Sequence, residues 1–249
     1  MVDTEIAVII PARNEAPRLP RCVAALRHSA QAAGIELHII VVENRSSDQT
    51  VQVARDLGCQ VVQSEAKNLA AIRNVGVRAS THDLIVTVDA DSLVSQRFFE
   101  RVLNVCRDRQ VVGGGVLIFP ERWSLGIVAT GMFLGVLAIF YRISGGAFFF
   151  RREAFEAIGG FDEHVVSAED IDFARRMRRH AKRSGGRFVN LLTAWIVTSC
   201  RKFDTFGDWY LVRHPLEAWL LLRGRDQKLA DKFWYDYINR SENSKADRS

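Results

Sequence analysis

The sequence predicts an α/β domain: a mainly parallel sheet with helices on both faces. Two observations carry that reading. Through the first hundred residues, short apolar β-branched runs alternate in strict succession with amphipathic stretches, the pattern of strands joined by crossover helices. The runs also end in polar residues: Arg13-Asn14-Glu15, Glu43-Asn44, Lys67, and Asp89 with Asp91. In an open parallel sheet those carboxyl ends form one edge, where ligands bind.

Taken in order, "IAVIIPA" reads as a buried strand ending at proline. "RLPRCVAALRHSAQAAG" places Leu19, Cys22, Val23 and Leu26 on one helical face and stops at Gly34. "LHIIVVEN" is the second strand, "QTVQVARDLG" the second helix, "QVVQS" a short strand and "LAAIRNVGVRAS" a helix. "DLIVTVD" is the fourth strand and "SQRFFERVLNVC" the next helix. Beyond it "VVGGGVLIF" reads as a strand, and "GGAFFFRREAFEAIGGFDE" as a strand, a short helix and a glycine turn. "AEDIDFARRMRRHAKRSGG" is an amphipathic helix with Phe173 and Met177 inward. "RFVNLL" and "AWIVTS" read as two edge strands. The resulting plan is a domain over 1–200, divided into halves at 110, then a helical, aromatic-rich extension over 201–240. The tail 241–249 lacks any apolar anchor and reads as disordered.

The chain has 249 residues, a net charge of +5 and a pI near 9.2. Mild basicity suits nucleic acid, anionic lipid or phosphorylated substrates and selects none of them. With no stacking motif beside it, that charge does not support a nucleic-acid binder, and the basic run at 172–183 reads as a solvated helix face. The four cysteines lie far apart without metal-ligand spacing and read as thiols of a reducing compartment. The opening "MVDTEIAVII" carries acids and runs straight into a strand, so no signal peptide is expected. A cytoplasmic protein is expected, at most peripheral to the inner face of the membrane. Residues 125–141 carry no charge, but three glycines thin their hydrophobicity, so a buried or surface-docked helix is favoured over a membrane span.

The stretch "LIVTVDADSLV" ends an apolar strand in two aspartates. Strand alternation would put Asp89 and Asp91 on one side, where their repulsion needs solvent, a basic partner or a cation. With Ser92 beside them they suit a hard divalent cation, Mg²⁺ or Mn²⁺, which keeps positions open for phosphate oxygens. A solvated strand-end turn would look the same.

Six motifs in order remove that ambiguity: "VIIPARNE", "VVENRSSDQT", "AKNLAAIRNVGVRAS", "VTVDADS", "GGAFFFRREAFEAIGGFDE" and "AEDIDFARRMRR". In this order they resemble glycosyltransferase family 2 of the GT-A fold, over residues 6 to about 200. The resemblance implies sugar transfer from a UDP- or GDP-sugar to an acceptor hydroxyl with inversion. It implies that Pro11, Ala12, Arg13 and Glu15 cradle the nucleotide and that Glu43 reads the base. Lys67, Arg73 and Arg201 would face the diphosphate. Asp91 would be the main metal ligand, with Asp89 and Ala90 at the ribose and Asp89 also near the metal. Asp170 would be the general base, and Glu169 would bind the acceptor or orient that base. Gly145, Gly146 and Ala147 would form the acceptor wall. Asp172 reads as structural, His214 as a capping or surface residue, and Trp209, Trp219 and Trp234 as core.

The alternatives are a retaining enzyme of the same fold and a non-catalytic nucleotide-sugar-binding scaffold. The scaffold would be expected to lack one of Asp91, Glu169 or Asp170, and all three are present. A nucleotidyltransferase or a NAD-dependent dehydrogenase would need a glycine-rich loop that the chain lacks. The acceptor is not legible. Residues 125–141 and the C-terminal helices suit a lipid-linked or glycan acceptor, peripheral membrane contact or a homodimer equally.

Overall fold

The computed structural model describes residues 5–132 and 146–223. Eight strands form one sheet in the order β3-β2-β1-β4-β7-β6-β8-β5. β1 (Glu5–Ala12), β2 (Glu36–Glu43), β3 (Gln60–Gln63) and β4 (Leu84–Val88) pair in parallel. β7 (Ala147–Arg151) runs antiparallel to β4 and to β6 (Val111–Pro120). β8 (Arg187–Thr198) pairs in parallel with β6 and antiparallel with β5 (Ser92–Val94).

Alternation along "IAVIIPA" explains why the sheet is covered on both faces. Ile6, Val8 and Ile10 join one core beneath α1 (Leu19–Ala33), α2 (Thr50–Asp56) and α4 (Phe98–Cys106). Ala7 and Ile9 join the other, beneath α3 (Leu69–Arg78), α6 (Arg152–Ala157) and α7 (Glu169–Arg183). That second core holds a cluster of phenylalanines, with Phe161 stacked on Phe173 at 4.0 Å between ring centroids.

Two expectations are corrected. "RFVNLL" and "AWIVTS" are one strand, β8, whose irregularity is absorbed by a register shift at Val116/Leu117. Its second half lies between β6 and β5, because the short β5, unforeseen in the sequence, pairs with Val94↔Ile196 and its neighbours. Trp209 is 42% exposed and so not a core residue, while Trp234 and the side chain of Trp219 lie outside the described residues.

The described part of α5, residues 125–132, buries Ile127 and Thr130 and leaves Leu125 and Met132 exposed. It packs on the turn before α9 (Tyr210–Arg213), which follows α8 (Arg201–Phe206) and precedes α10 (Pro215–Arg223). A Cβ on Gly126 would lie 2.8 Å from the Asp208 carbonyl carbon, so glycine permits this approach. Arg122 holds Asp204 and Asp208 together from the end of β6. The rest of segment 133–141 and the tail 241–249 lie outside the described residues. Among the described residues no helix is long and apolar enough to cross a membrane.

α3 approaches the sheet closely, which is what carries its polar side chains to the strand ends. A Cβ on Gly76 would stand 2.3 Å from Ile9 Cγ2 and 2.7 Å from Val42 Cγ2. Gly76→Ala is therefore expected to destabilise the chain by about 1–3 kcal/mol through overpacking, read as a lower urea midpoint at unchanged slope.

Candidate active site

The carboxyl ends of β1, β2 and β4 converge as the topology requires. Asn14 and Arg45 take left-handed backbone at φ 54° and 51°, turning the chain sharply after β1 and β2. The two turns are bonded together: Asn14 N–H donates to Ser46 Oγ, and Ser47 N–H donates to Asn14 Oδ1. Glu43 is buried and accepts from Ser46 N–H at 2.5 Å. Asn44 donates to the carbonyls of Ser64 and Ala66 and closes the floor behind it. Pro11 and Ala12 are buried at the end of β1, Arg13 is half-buried, and Lys67 is exposed in the loop after β3.

β4 ends at Val88, so Asp89 and Asp91 lie on the following turn, where Ser92 N–H bonds the Asp89 carbonyl. The expectation that strand alternation aligns them is overturned. The turn directs each acid to a different arginine. Arg73 Nη2 donates to Asp89 Oδ1 at 2.9 Å, and Arg201 Nη2 donates to Asp91 Oδ2 at 3.0 Å. Each arginine holds a second acid: Arg73 reaches Glu169 Oε1 at 2.5 Å, and Arg201 reaches Glu15 Oε1 at 2.5 Å. Arg73 thus lies 4% exposed beneath the cleft, its guanidinium 5.6 Å from the Phe161 ring centroid, rather than at the cleft mouth. Arg201, with 21% of its side chain exposed, lies nearer the solvent.

The Val88↔Ala147 pairing brings the start of β7 alongside this turn, with Ala90 and Ala147 buried. Gly146 has φ 80°, and a Cβ there would meet Ile118 at 2.8 Å. Gly145 lies outside the described residues.

α7 starts at Glu169 behind Ala168, a non-glycine residue at φ 55°, a conformation that costs roughly 1–2 kcal/mol. Asp170 Oδ1 accepts from the Ile171 N–H. The loop before the helix is held from α3: Asn74 exchanges hydrogen bonds with the Phe161 backbone, and Asn68 donates to the Glu163 carbonyl. These asparagines were not picked out in the sequence. Their only signal was their place in "NLAAIRN" on either side of Arg73. Asp172 pairs with Arg176, which bonds the Ile158 and Gly160 carbonyls and so fixes the glycine turn. His214 stacks on Tyr210 and lies 3.8 Å from Glu217.

Charge crowding sets the electrostatics. Burial raises the Asp170 carboxyl to about 6, helped by the negative charge of Glu169 and opposed by Arg73. Asp89 is also raised, by burial more than Arg73 lowers it; 37% of its side chain remains accessible, so it sits deep in a cleft that water reaches. Burial raises Glu15 despite Arg201. Lys202, beside Arg201, is drawn down to about 8 by burial, against the pull of Asp91, Asp89 and Glu169.

Within this set five carboxylates, Glu15, Asp89, Asp91, Glu169 and Asp170, face three cations, Arg73, Arg201 and Lys202. Among the described residues no group of three or more His, Cys, Asp or Glu could hold a metal. An all-protein cage therefore does not fit. The excess of acid does fit a divalent cation taking one or two carboxylates and completing its shell with phosphate and water.

Because folding lifts the Asp170 pKa from 3.8 to about 6, the folded chain keeps a proton there that the unfolded chain has released. The stability linked to this group is complete below about pH 3.8 and is lost as pH rises through about 6. Asp170→Asn is thus expected to melt above the wild type at pH 7, the gap closing toward pH 4. A gap independent of pH would contradict this.

The mixed sheet with an acid-lined cleft at its strand ends is that of a GT-A glycosyltransferase. The chain belongs to glycosyl transferase family 2, whose sequence profile matches residues 7–159. It is 24% identical over 239 residues to glycosyltransferase AglE of Haloferax volcanii, covering 88% of this chain and 75% of that protein. It is 29% identical over 196 residues to the pre-mycofactocin glycosyltransferase of Mycobacterium tuberculosis, covering 70% of this chain but 39% of that one. Among solved structures it resembles the mannosyltransferase PcManGT from Pyrobaculum calidifontis, in complex with GDP-Man and Mn²⁺ (TM-score 0.62, 22% identity, 86% of this chain and 64% of that one). It also resembles glucosyl-3-phosphoglycerate synthase from Mycobacterium tuberculosis, in complex with Mn²⁺, UDP and glucosyl-3-phosphoglycerate (TM-score 0.60, 17% identity, 86% and 78%).

Proposed function

We propose that this glycosyltransferase moves a sugar from a UDP- or GDP-sugar to an acceptor hydroxyl with inversion, Asp170 serving as general base. The observation that carries this reading is the facing of Asp170, poised at about 6, with the acidic turn Asp89–Asp91 and its cations. Residues 1–200 supply the catalytic domain, with Arg201 and Lys202 of the C-terminal extension completing the cleft.

The nucleotide lies against Pro11, Ala12, Arg13 and Glu15, with Glu43 at the base. Asp91, with Asp89 beside it, would hold a divalent cation, which when bound neutralises charge developing on the diphosphate. Arg201, Lys202 and Lys67 meet that diphosphate as cations. Asp170 is bonded through Oδ1 to its own helix, which leaves Oδ2 to take the proton as the acceptor oxygen attacks the anomeric carbon and the diphosphate departs. Gly146 and Ala147 border the acceptor. Because a single displacement puts the acceptor opposite the leaving group, the product has the reversed anomeric configuration.

UDP and GDP, titrated calorimetrically with and without Mn²⁺, test the donor site. Binding of one nucleotide, strengthened by Mn²⁺, is expected and would name the base. Failure of both to bind would favour a non-catalytic scaffold. Retention of anomeric configuration in the product would overturn the single displacement.

A further inference from the structure

Arg73 joins two parts of the cleft that the sequence separates by eighty residues. From α3 its Nη2 holds Asp89 on the turn after β4, and its Nη1 holds Glu169 at the first residue of α7. The arrangement is built from inside: the guanidinium is 4% exposed, Glu169 is 7% exposed, and the Phe161 ring lies against the cation. On the same helix, Asn74 grips the loop leading to α7. With Ala168 in left-handed backbone immediately before Glu169, the start of α7 needs an external hold to keep its direction.

We propose that Arg73 is a positioning residue: by clamping Glu169 and Asp89 from within the core, it fixes the first turn of α7 against the aspartate turn and so places the Asp170 carboxylate. This goes beyond a cation that meets the diphosphate directly. It deepens the reading of Asp170 as base and rests on it, but its test does not require that reading to hold.

The charged groups facing Asp170 are Glu169 on its own helix, Arg73 from α3 and Asp89 at the end of β4. Lys202 of α8 faces Asp91, Asp89 and Glu169. Removing one end of the clamp therefore moves Asp170 in a direction set by which charge is lost. Glu169→Gln keeps an oxygen for Arg73 and deletes a negative neighbour, which lowers the Asp170 midpoint. Arg73→Gln deletes the cation, which raises it.

The measurement is carboxyl ¹³C NMR titration of the full chain labelled at aspartate Cγ, without metal or nucleotide. The Asp170 resonance is identified by its loss in Asp170→Asn. Glu169→Gln is expected to shift the midpoint down by roughly 1 unit and Arg73→Gln up by a similar amount, with Arg73→Lys between Arg73→Gln and the wild type. An unmoved midpoint in Glu169→Gln, or shifts of the same sign in both variants, would overturn the proposal. If Arg73→Gln does not fold, Arg73→Lys decides: it keeps the charge but cannot fork between Glu169 and Asp89, so an Asp170 midpoint left at the wild-type value would overturn the clamp and a raised one supports it. Kinetics of Asp170→Asn separately test whether Asp170 is the base.

Discussion

Asp170→Asn is expected to reduce kcat by about 10²–10⁴-fold, the contribution of a positioned general base, while nucleotide binding by calorimetry stays within a few-fold of the wild type. The amide keeps the shape of the carboxylate and its bond to Ile171 N–H but cannot accept the hydroxyl proton. If Asp170 is the base, kcat/KM of the wild type should fall on the acid side with a midpoint near 6, because a general base acts only when ionised and the free protein holds that group at about 6. The same variant should be the more stable protein at pH 7, so loss of activity with a gain in melting temperature is the paired signature. Full activity in Asp170→Asn would remove Asp170 from the mechanism.

Asp91→Asn is expected to lower kcat/KM by about 10³-fold, several kcal/mol of lost charge stabilisation, and to abolish the strengthening of nucleotide binding by Mn²⁺. Its effect on folding should be small, since Arg201 keeps Glu15 and is partly solvated. Asp89→Asn should differ in this respect. A neutral side chain relieves the burial cost that raises the Asp89 carboxyl. But it weakens the hold on Arg73, a cation only 4% exposed, and the loss of a buried charge's partner at 2.9 Å is the larger effect. Melting curves of the two variants side by side would show this contrast. Equal melting temperatures would mean that the Asp89 end of the clamp carries little weight.

The parallel half of the sheet was legible because each of its strands is a continuous apolar run and each crossover helix carries a 3.6-residue pattern. Both are local consequences of burial. The second half was legible only in part. β5 is three residues long and β8 changes register midway, and neither is marked by local periodicity.

By itself, the sequence determined the α/β class, the gathering of polar residues at one sheet edge, and, through six ordered motifs, the family. These rest on patterns within a few residues of one another. Only the tertiary structure decided how the charges are shared: that Asp89 and Asp91 part to different arginines, that Arg73 lies beneath the cleft, and that Arg201 ties β1 to the aspartate turn. Glu15 and Arg201 are 186 positions apart, and Arg73 and Glu169 are 96 apart. No propensity or spacing rule links residues at such separations. Their pairing depends on where packing of α3, α7 and α8 against one sheet leaves room for a charge and obliges it to find a partner.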